Sequence, residues 1–317
     1  MCLPRILKNK KLSIFFSILF AITLLSIFLF FYFPKKNPYA RIPVIFLPHS
    51  KTPHVEAKVE GIKCLLGLDL GSSSALHLTK NLIEQLHKDQ MGKVTWFDMR
   101  NNRYENLTYL IDKLTFAKVT VSHIKAWEND LDRSIKGSIL SDEDEELEKE
   151  KLKYHSGMIG RQVLLGAELL LDFQNGVFFF IRNLDALKKE GYSIQSFIDV
   201  PFDLEKVGVV FSIDTDMGIK RFILDSGASI SLIKPCGAKD KIIKKGVIPF
   251  ITTSKFSIGE IKVGSMDLYL FELPEICENV DGILGMDFLS RYAVYLNAKE
   301  KNAKIALSIL NDSQIFF

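Results

Sequence analysis

The sequence predicts a mainly β body of two lobes related by a pseudo-twofold axis, held behind an N-terminal transmembrane helix. Three observations lead there: an uncharged apolar run near the start, an internal duplication of the remainder, and strand-like periodicity in both copies. The 317 residues are 47% hydrophobic and 25% charged, which excludes both a polytopic membrane protein and a disordered chain.

Residues 1–11 form a short basic N-terminus. Leu12 to Phe33 is 22 residues without a charge; at ~1.5 Å rise per residue a helix of that length crosses a hydrocarbon core of ~30 Å. A cleaved signal peptide would show an apolar region of ~7–15 residues and a small-residue cleavage site. Here the run is longer and ends in Phe31-Tyr-Phe33 before Pro34-Lys-Lys36, so an uncleaved anchor is expected. Residues 34–41 are a linker. Four bases precede the span and three follow it, a slight bias that places the N-terminus in the cytoplasm and the body on the extracytoplasmic side. Without paired cysteine spacing, a bacterial inner membrane is the expected setting.

Residues 1–41 hold seven Lys or Arg and no acid; removing those seven from 41 bases leaves 34 against 38 acids, a net of −4 for the body. A weakly acidic body argues against nucleic acid as a partner. The scattered six His and the unpaired Cys64, Cys236 and Cys277 give no metal-binding pattern, and no cofactor is expected.

The body is written twice. Ile42-Pro-Val-Ile-Phe46 returns as Ile198-Asp-Val-Pro-Phe202 at an offset of 156, and the same offset carries Leu68-Asp-Leu-Gly-Ser-Ser-Ser74 onto Leu224-Asp-Ser-Gly-Ala-Ser-Ile230. Lys113 to Val121 returns as Lys255 to Val263 at 142, and Gly157-Met-Ile-Gly160 as Gly282-Ile-Leu-Gly285 at 125. The shrinking offsets are loop differences, including a charged, solvated insertion near 130–154 in the first copy. The lobes are therefore 42–185 and 198–310.

In each copy an apolar hairpin feeds straight into Asp-x-Gly: His54 to Glu60 and Lys63 to Leu68 before Asp69, Val209 to Asp214 and Lys220 to Leu224 before Asp225. Thr79 to His87 has the pattern of a helix with Thr79 as N-cap. One Asp-x-Gly is ordinarily a turn. Two at equivalent points of a repeat place two carboxylates at the ends of buried strands, where an unshared charge is costly. If the lobes face each other, the two acids meet; at ~3 Å they cannot both ionise, so one serves as acid and the other as base toward a water. Gly71 and Gly227 would permit close backbone approach.

Asp225-Ser-Gly-Ala-Ser229, preceded by Arg221-Phe-Ile-Leu224, resembles the catalytic motif of retropepsin-like aspartic proteases. Asp281-Gly-Ile-Leu-Gly-Met-Asp-Phe-Leu289 is similar to the apolar-apolar-Gly segment that buttresses each lobe in that family. The resemblance implies a single-chain, two-lobed endopeptidase in which Asp69 and Asp225 activate the water. Gly71, Ser72, Ser226, Gly227, Ala228, Gly160 and Gly285 would support the loops. Its substrate would be an extended peptide or protein segment, and no oligomer would be required. Ser226 matches the hydroxyl that braces the loops across the lobes, whereas Leu70 stands where the family has Thr or Ser. A flap hairpin is expected at Trp96 to Tyr104; its counterpart near Lys245 to Thr253 is shorter. Leu70 also supports a second expectation, a peptide-binding module that does not cleave. A third comes from Gly67 to Ser73, which resembles the phosphate-binding opening of actin-like ATPases and sugar kinases.

Overall fold

Each copy of the repeat opens with an antiparallel hairpin. In the first, Pro53–Val59 pairs with Ile62–Asp69 across Glu60 (φ 50°) and Gly61 (φ 90°), both left-handed as a two-residue hairpin turn demands. In the second, Gly208–Thr215 pairs with Gly218–Leu224 around Asp216-Met217. The computed structural model describes residues 39–47, 50–98, 102–129, 155–235 and 248–308. The expected anchor at 12–33 and the charged insertion near 130–154 lie outside them. Among the described residues no helix is long and apolar enough to cross a membrane.

A short strand then enters beside each hairpin in parallel, Gly157–Gly160 on the first and Gly282–Leu284 on the second. The two registers coincide under the repeat. Leu66 faces Gly157 as Phe222 faces Gly282, and Leu68 faces Ile159 as Leu224 faces Leu284. The offsets of 156 and 125 are thus a duplication of strand pairing, not of composition alone. The third repeated block behaves alike: Ala117 (φ 49°) turns Arg103–Phe116 into Val119–Asn129, and Gly259 (φ 58°) turns Phe256–Ile258 into Ile261–Lys262.

The copies join in a six-stranded sheet ordered Tyr39–Pro43, Val177–Ile181, Glu168–Asp172, Tyr292–Asn297, Asn302–Leu307, Ile198–Pro201, three strands from each half. At its centre Leu169, Leu170 and Leu171 face Leu296, Tyr295 and Val294. Leu170 and Tyr295 are repeat equivalents, so this antiparallel ladder maps onto itself and a local twofold axis passes between them. Leu169, Leu171, Phe178, Phe180, Val294 and Leu296 turn one face toward the main core. Leu170, Phe179, Ile181, Ala293 and Tyr295 turn the other toward Leu187 and Phe197, beside the 3-10 segments Leu184–Glu190 and Ile194–Ser196. Burial on both faces explains the unbroken apolar run Val177-Phe-Phe-Phe-Ile181; each such side chain contributes ~1.5–3 kcal/mol.

Two expectations need correcting. Tyr39–Arg41 belong to the first strand and not to a linker, because Ala40 and Ile42 are buried opposite Phe180 and Phe178. The helix spans Lys80–Leu86 with Thr79 at the N-cap position, but the Thr79 side chain makes no capping bond. His87 ends it in the left-handed conformation.

Candidate active site

Asp69 closes its strand opposite Gly160, and Asp225 follows its strand with its N–H donating to Leu284 O at 3.0 Å. The strands that deliver them are buried throughout their ends: Leu66, Leu68, Phe222 and Leu224 are almost fully enclosed. Both carboxyls therefore arrive half-buried at the boundary between the lobes, close enough that the Asp225 charge acts directly on Asp69. The loop backbone meets them. Ser72 N–H donates to Asp69 Oδ1 at 2.8 Å and Gly227 N–H to Asp225 Oδ1 at 2.7 Å, while Gly71 N–H crosses the boundary to Asp225 Oδ1 at 3.2 Å.

Burial pushes both carboxyls above the ordinary range. At Asp69 it is reinforced by the Asp225 charge and carries the group to about 8. At Asp225 it is opposed chiefly by the Gly227 N–H. Two half-buried acids this close favour holding one proton between them, because a second negative charge would meet the first in a poorly solvated site. One group is then a hydrogen-bond donor and the other an acceptor, the arrangement that can orient and deprotonate a water.

Close approach depends on the glycines. A Cβ on Gly71 would lie 2.4 Å from Asp225 Cγ, and one on Gly227 would lie 2.9 Å from Asp69 Cγ. Each glycine leaves room for the other lobe's carboxyl. Gly160 and Gly285 do the same for backbone, with an added Cβ 2.3 Å from Ser74 O and 2.6 Å from Ile230 O respectively. The strands they close supply the next bonds to the loops. Arg161 N–H donates to Ser72 O at 3.1 Å, and Met286 N–H to Ala228 O at 2.8 Å, again at repeat-equivalent positions.

Hydroxyl bracing across the lobes is one-sided. Ser226 Oγ donates to Leu68 O at 2.8 Å and accepts from Leu70 N–H at 3.1 Å, both in the other lobe. Leu70, its equivalent, points an apolar side chain into the core and returns nothing. Neighbouring hydroxyls do not replace it. Ser72 Oγ is engaged with Ser74 Oγ at 2.9 Å and His77 Nε2 at 3.3 Å, and Ser73 is exposed. Burial pulls His77 down to about 4, so its ring stays neutral where it stacks on Trp127.

Arg161 is a residue the motif reading passed over. Its Nη1 donates to Gly71 O at 3.0 Å and to Val207 O at 2.6 Å, and Nη2 donates to Lys206 O. The available signal was an asymmetry: a cation follows Gly160 in one copy, whereas Met286 follows Gly285 in the other.

The expected flap residues do form a hairpin, Gln90–Phe97 with Arg103–Phe116, residues 99–101 lying outside the described set. Trp96 stacks on Tyr104 at 4.8 Å, and Asp98 accepts from Asn102 N–H, Asn102 Nδ2 and Tyr104 O–H. In the second copy Phe250–Thr253 pairs with Met266–Leu270.

No family model and no curated protein matches the sequence. Solved structures do match in shape. An aspartic proteinase from Irpex lacteus is similar with a TM-score of 0.51 and 15% identity, over 85% of this chain and 97% of that one. Basic 7S globulin from soybean gives 0.53 and 9% over 87% and 97%. Conglutin gamma, a basic 7S globulin from lupine seeds, gives 0.55 and 10% over 88% and 97%. The described chain has the mainly β fold shared by aspartic proteinases and these globulins.

Proposed function

We propose that this protein is an aspartic endopeptidase, with Asp69 and Asp225 jointly activating a water for attack on a peptide carbonyl. The observation that carries the reading is the meeting of two carboxyls from repeat-equivalent loops: Gly71 N–H reaches Asp225 Oδ1 at 3.2 Å, and a Cβ on Gly227 would lie 2.9 Å from Asp69 Cγ. The ionised member takes the water's proton, and the protonated member polarises the carbonyl and later hydrogen-bonds or protonates the departing amine. Extended peptide segments with apolar side chains are the substrate class, and the flap hairpin offers strand edges for main-chain pairing. The motifs around Asp225 and Gly285 favour the retropepsin-like branch. Residues 12–33 would anchor the body on the extracytoplasmic side of a bacterial inner membrane, and one chain supplies the complete site.

A second reading keeps the peptide and drops the cleavage. Leu70 favours it, as does the likeness to two structures described as globulins. The resemblance to phosphate-binding loops gains nothing from the geometry, since the N–H groups of Gly71 and Ser72 are spent on carboxylates. The test is digestion of a peptide library by the full chain in detergent from acidic to neutral pH. Cleavage that disappears in Asp225→Asn is expected. Peptide binding with no cleavage by the wild type would replace this reading with the second.

A further inference from the structure

We propose that Arg161 is a positioning residue, a clasp from the first lobe that takes over the bracing hydroxyl missing at Leu70. Three observations point to it. The clasp crosses the boundary in the direction opposite to Ser226: Arg161 belongs to the first lobe and grips Lys206 O and Val207 O of the second, while Ser226 belongs to the second and grips Leu68 and Leu70 of the first. The same guanidinium holds Gly71 O, one residue from Leu70 and two from Asp69. The turn it grips is built for it: Gly208 sits at φ 139°, and a Cβ there would lie 3.3 Å from Arg161 Nη1 and 3.2 Å from the Ile223 methyl.

Each lobe thus contributes one brace to the other, by different chemistry. A planar fork presents its donors from two nitrogens at a fixed spacing, whereas an ammonium offers all of them from one point, so lysine is a poor substitute. The guanidinium also places a full positive charge near both acids, which favours their ionised form. Losing it therefore moves the acid limb of the pH profile upward. The activity readout rests on the proteolytic reading; the stability readout does not.

The experiment is a double-mutant cycle in the full chain, Arg161→Met against Leu70→Thr, with Arg161→Lys as the charge-retaining control. Arg161→Met is expected to lower kcat ~10-fold or more with KM nearly unchanged, and Leu70→Thr to recover several-fold of that loss in the variant while giving at most ~3-fold in the wild type. The acid limb should rise in Arg161→Met and hold in Arg161→Lys. Urea unfolding should show the same positive coupling between positions 70 and 161. Effects that multiply independently, in both kinetics and unfolding, would overturn the clasp. If Arg161→Met does not fold, the cycle run with Arg161→Lys decides on the same criterion. If the wild type cleaves no peptide, the proteolytic reading falls, and the unfolding cycle alone supports or overturns Arg161.

Discussion

The two Asp loops hold the same backbone and divide the side-chain work. Asp69 and Asp225 end matching strands, Gly71 and Gly227 admit the opposite carboxyl, and Gly160 and Gly285 pass equally close to loop carbonyls. Around that frame the residues diverge: Leu70 against Ser226, Ser72 against Ala228, Arg161 against Met286. The difference teaches which parts a duplicated site must repeat. Strand register and close backbone contacts admit one solution, so they recur. Bracing needs only some donor bridging the boundary, so a hydroxyl from one lobe and a guanidinium from the other suffice.

The largest expected effect breaks the pairing itself. Asp69→Asn and Asp225→Asn should each lower kcat by on the order of 10³-fold, and the double variant should be no worse than either, since the acids act as one unit. Peptide cleavage rates of the three variants check this; unequal single losses would mean the loops are not equivalent in function. The same variants carry a stability signature. Burial and the Asp225 charge raise native Asp69 to about 8, above its value in the unfolded chain, so its contribution to stability is greatest at low pH and is lost as pH climbs from about 4 to about 8. Asparagine does not titrate there. The stability of Asp69→Asn relative to the wild type should therefore rise across that window in urea melts; a flat difference would contradict the burial argument.

Gly160→Ala and Gly285→Ala sharpen the backbone half of the comparison. Each would drive a methyl within 2.3 and 2.6 Å of a carbonyl oxygen, and each should cost more than ~3 kcal/mol in denaturant unfolding. A cost below ~1 kcal/mol at either site would show that its loop can yield. Ser226→Ala tests the hydroxyl brace. It leaves Leu68 O and Leu70 N–H without their partner in the core, for an expected loss of ~1–3 kcal/mol. The smallest effect concerns the flap. Asp98→Ala removes the acceptor for three donors of Asn102 and Tyr104 and should cost only ~1 kcal/mol, yet raise KM for peptides several-fold; an unchanged KM would take this hairpin out of substrate binding.

Much of this was legible in the sequence because repetition exposes what single motifs hide. Asp69 and Asp225 were found by their common offset, and the repeated segments Gly157-Met-Ile-Gly160 and Gly282-Ile-Leu-Gly285 by theirs, though not their parallel pairing. What stayed hidden depends on contacts between segments far apart in the chain. Nothing near Arg161 announces that Val207 O lies 2.6 Å from its guanidinium. Nor does the run Ser72-Ser-Ser74 reveal that the hydroxyls of Ser72 and Ser74 turn to one another, and that of Ser72 to His77, instead of toward the lobe boundary. The central sheet was partly visible, as apolar runs ending in Leu171-Asp172 and Leu296-Asn297, but its self-mapping register at Leu170 and Tyr295 required coordinates.

Carboxyl titration of Asp69 and Asp225 by ¹³C NMR, in the full chain, is the most direct test of a shared proton. The expected result is two well-separated steps, with the last proton leaving near pH 8, and a single step in either asparagine variant. Both carboxyls losing their protons together near the ordinary value of about 4 would mean that the acids are independent, and the proposed chemistry would have no basis.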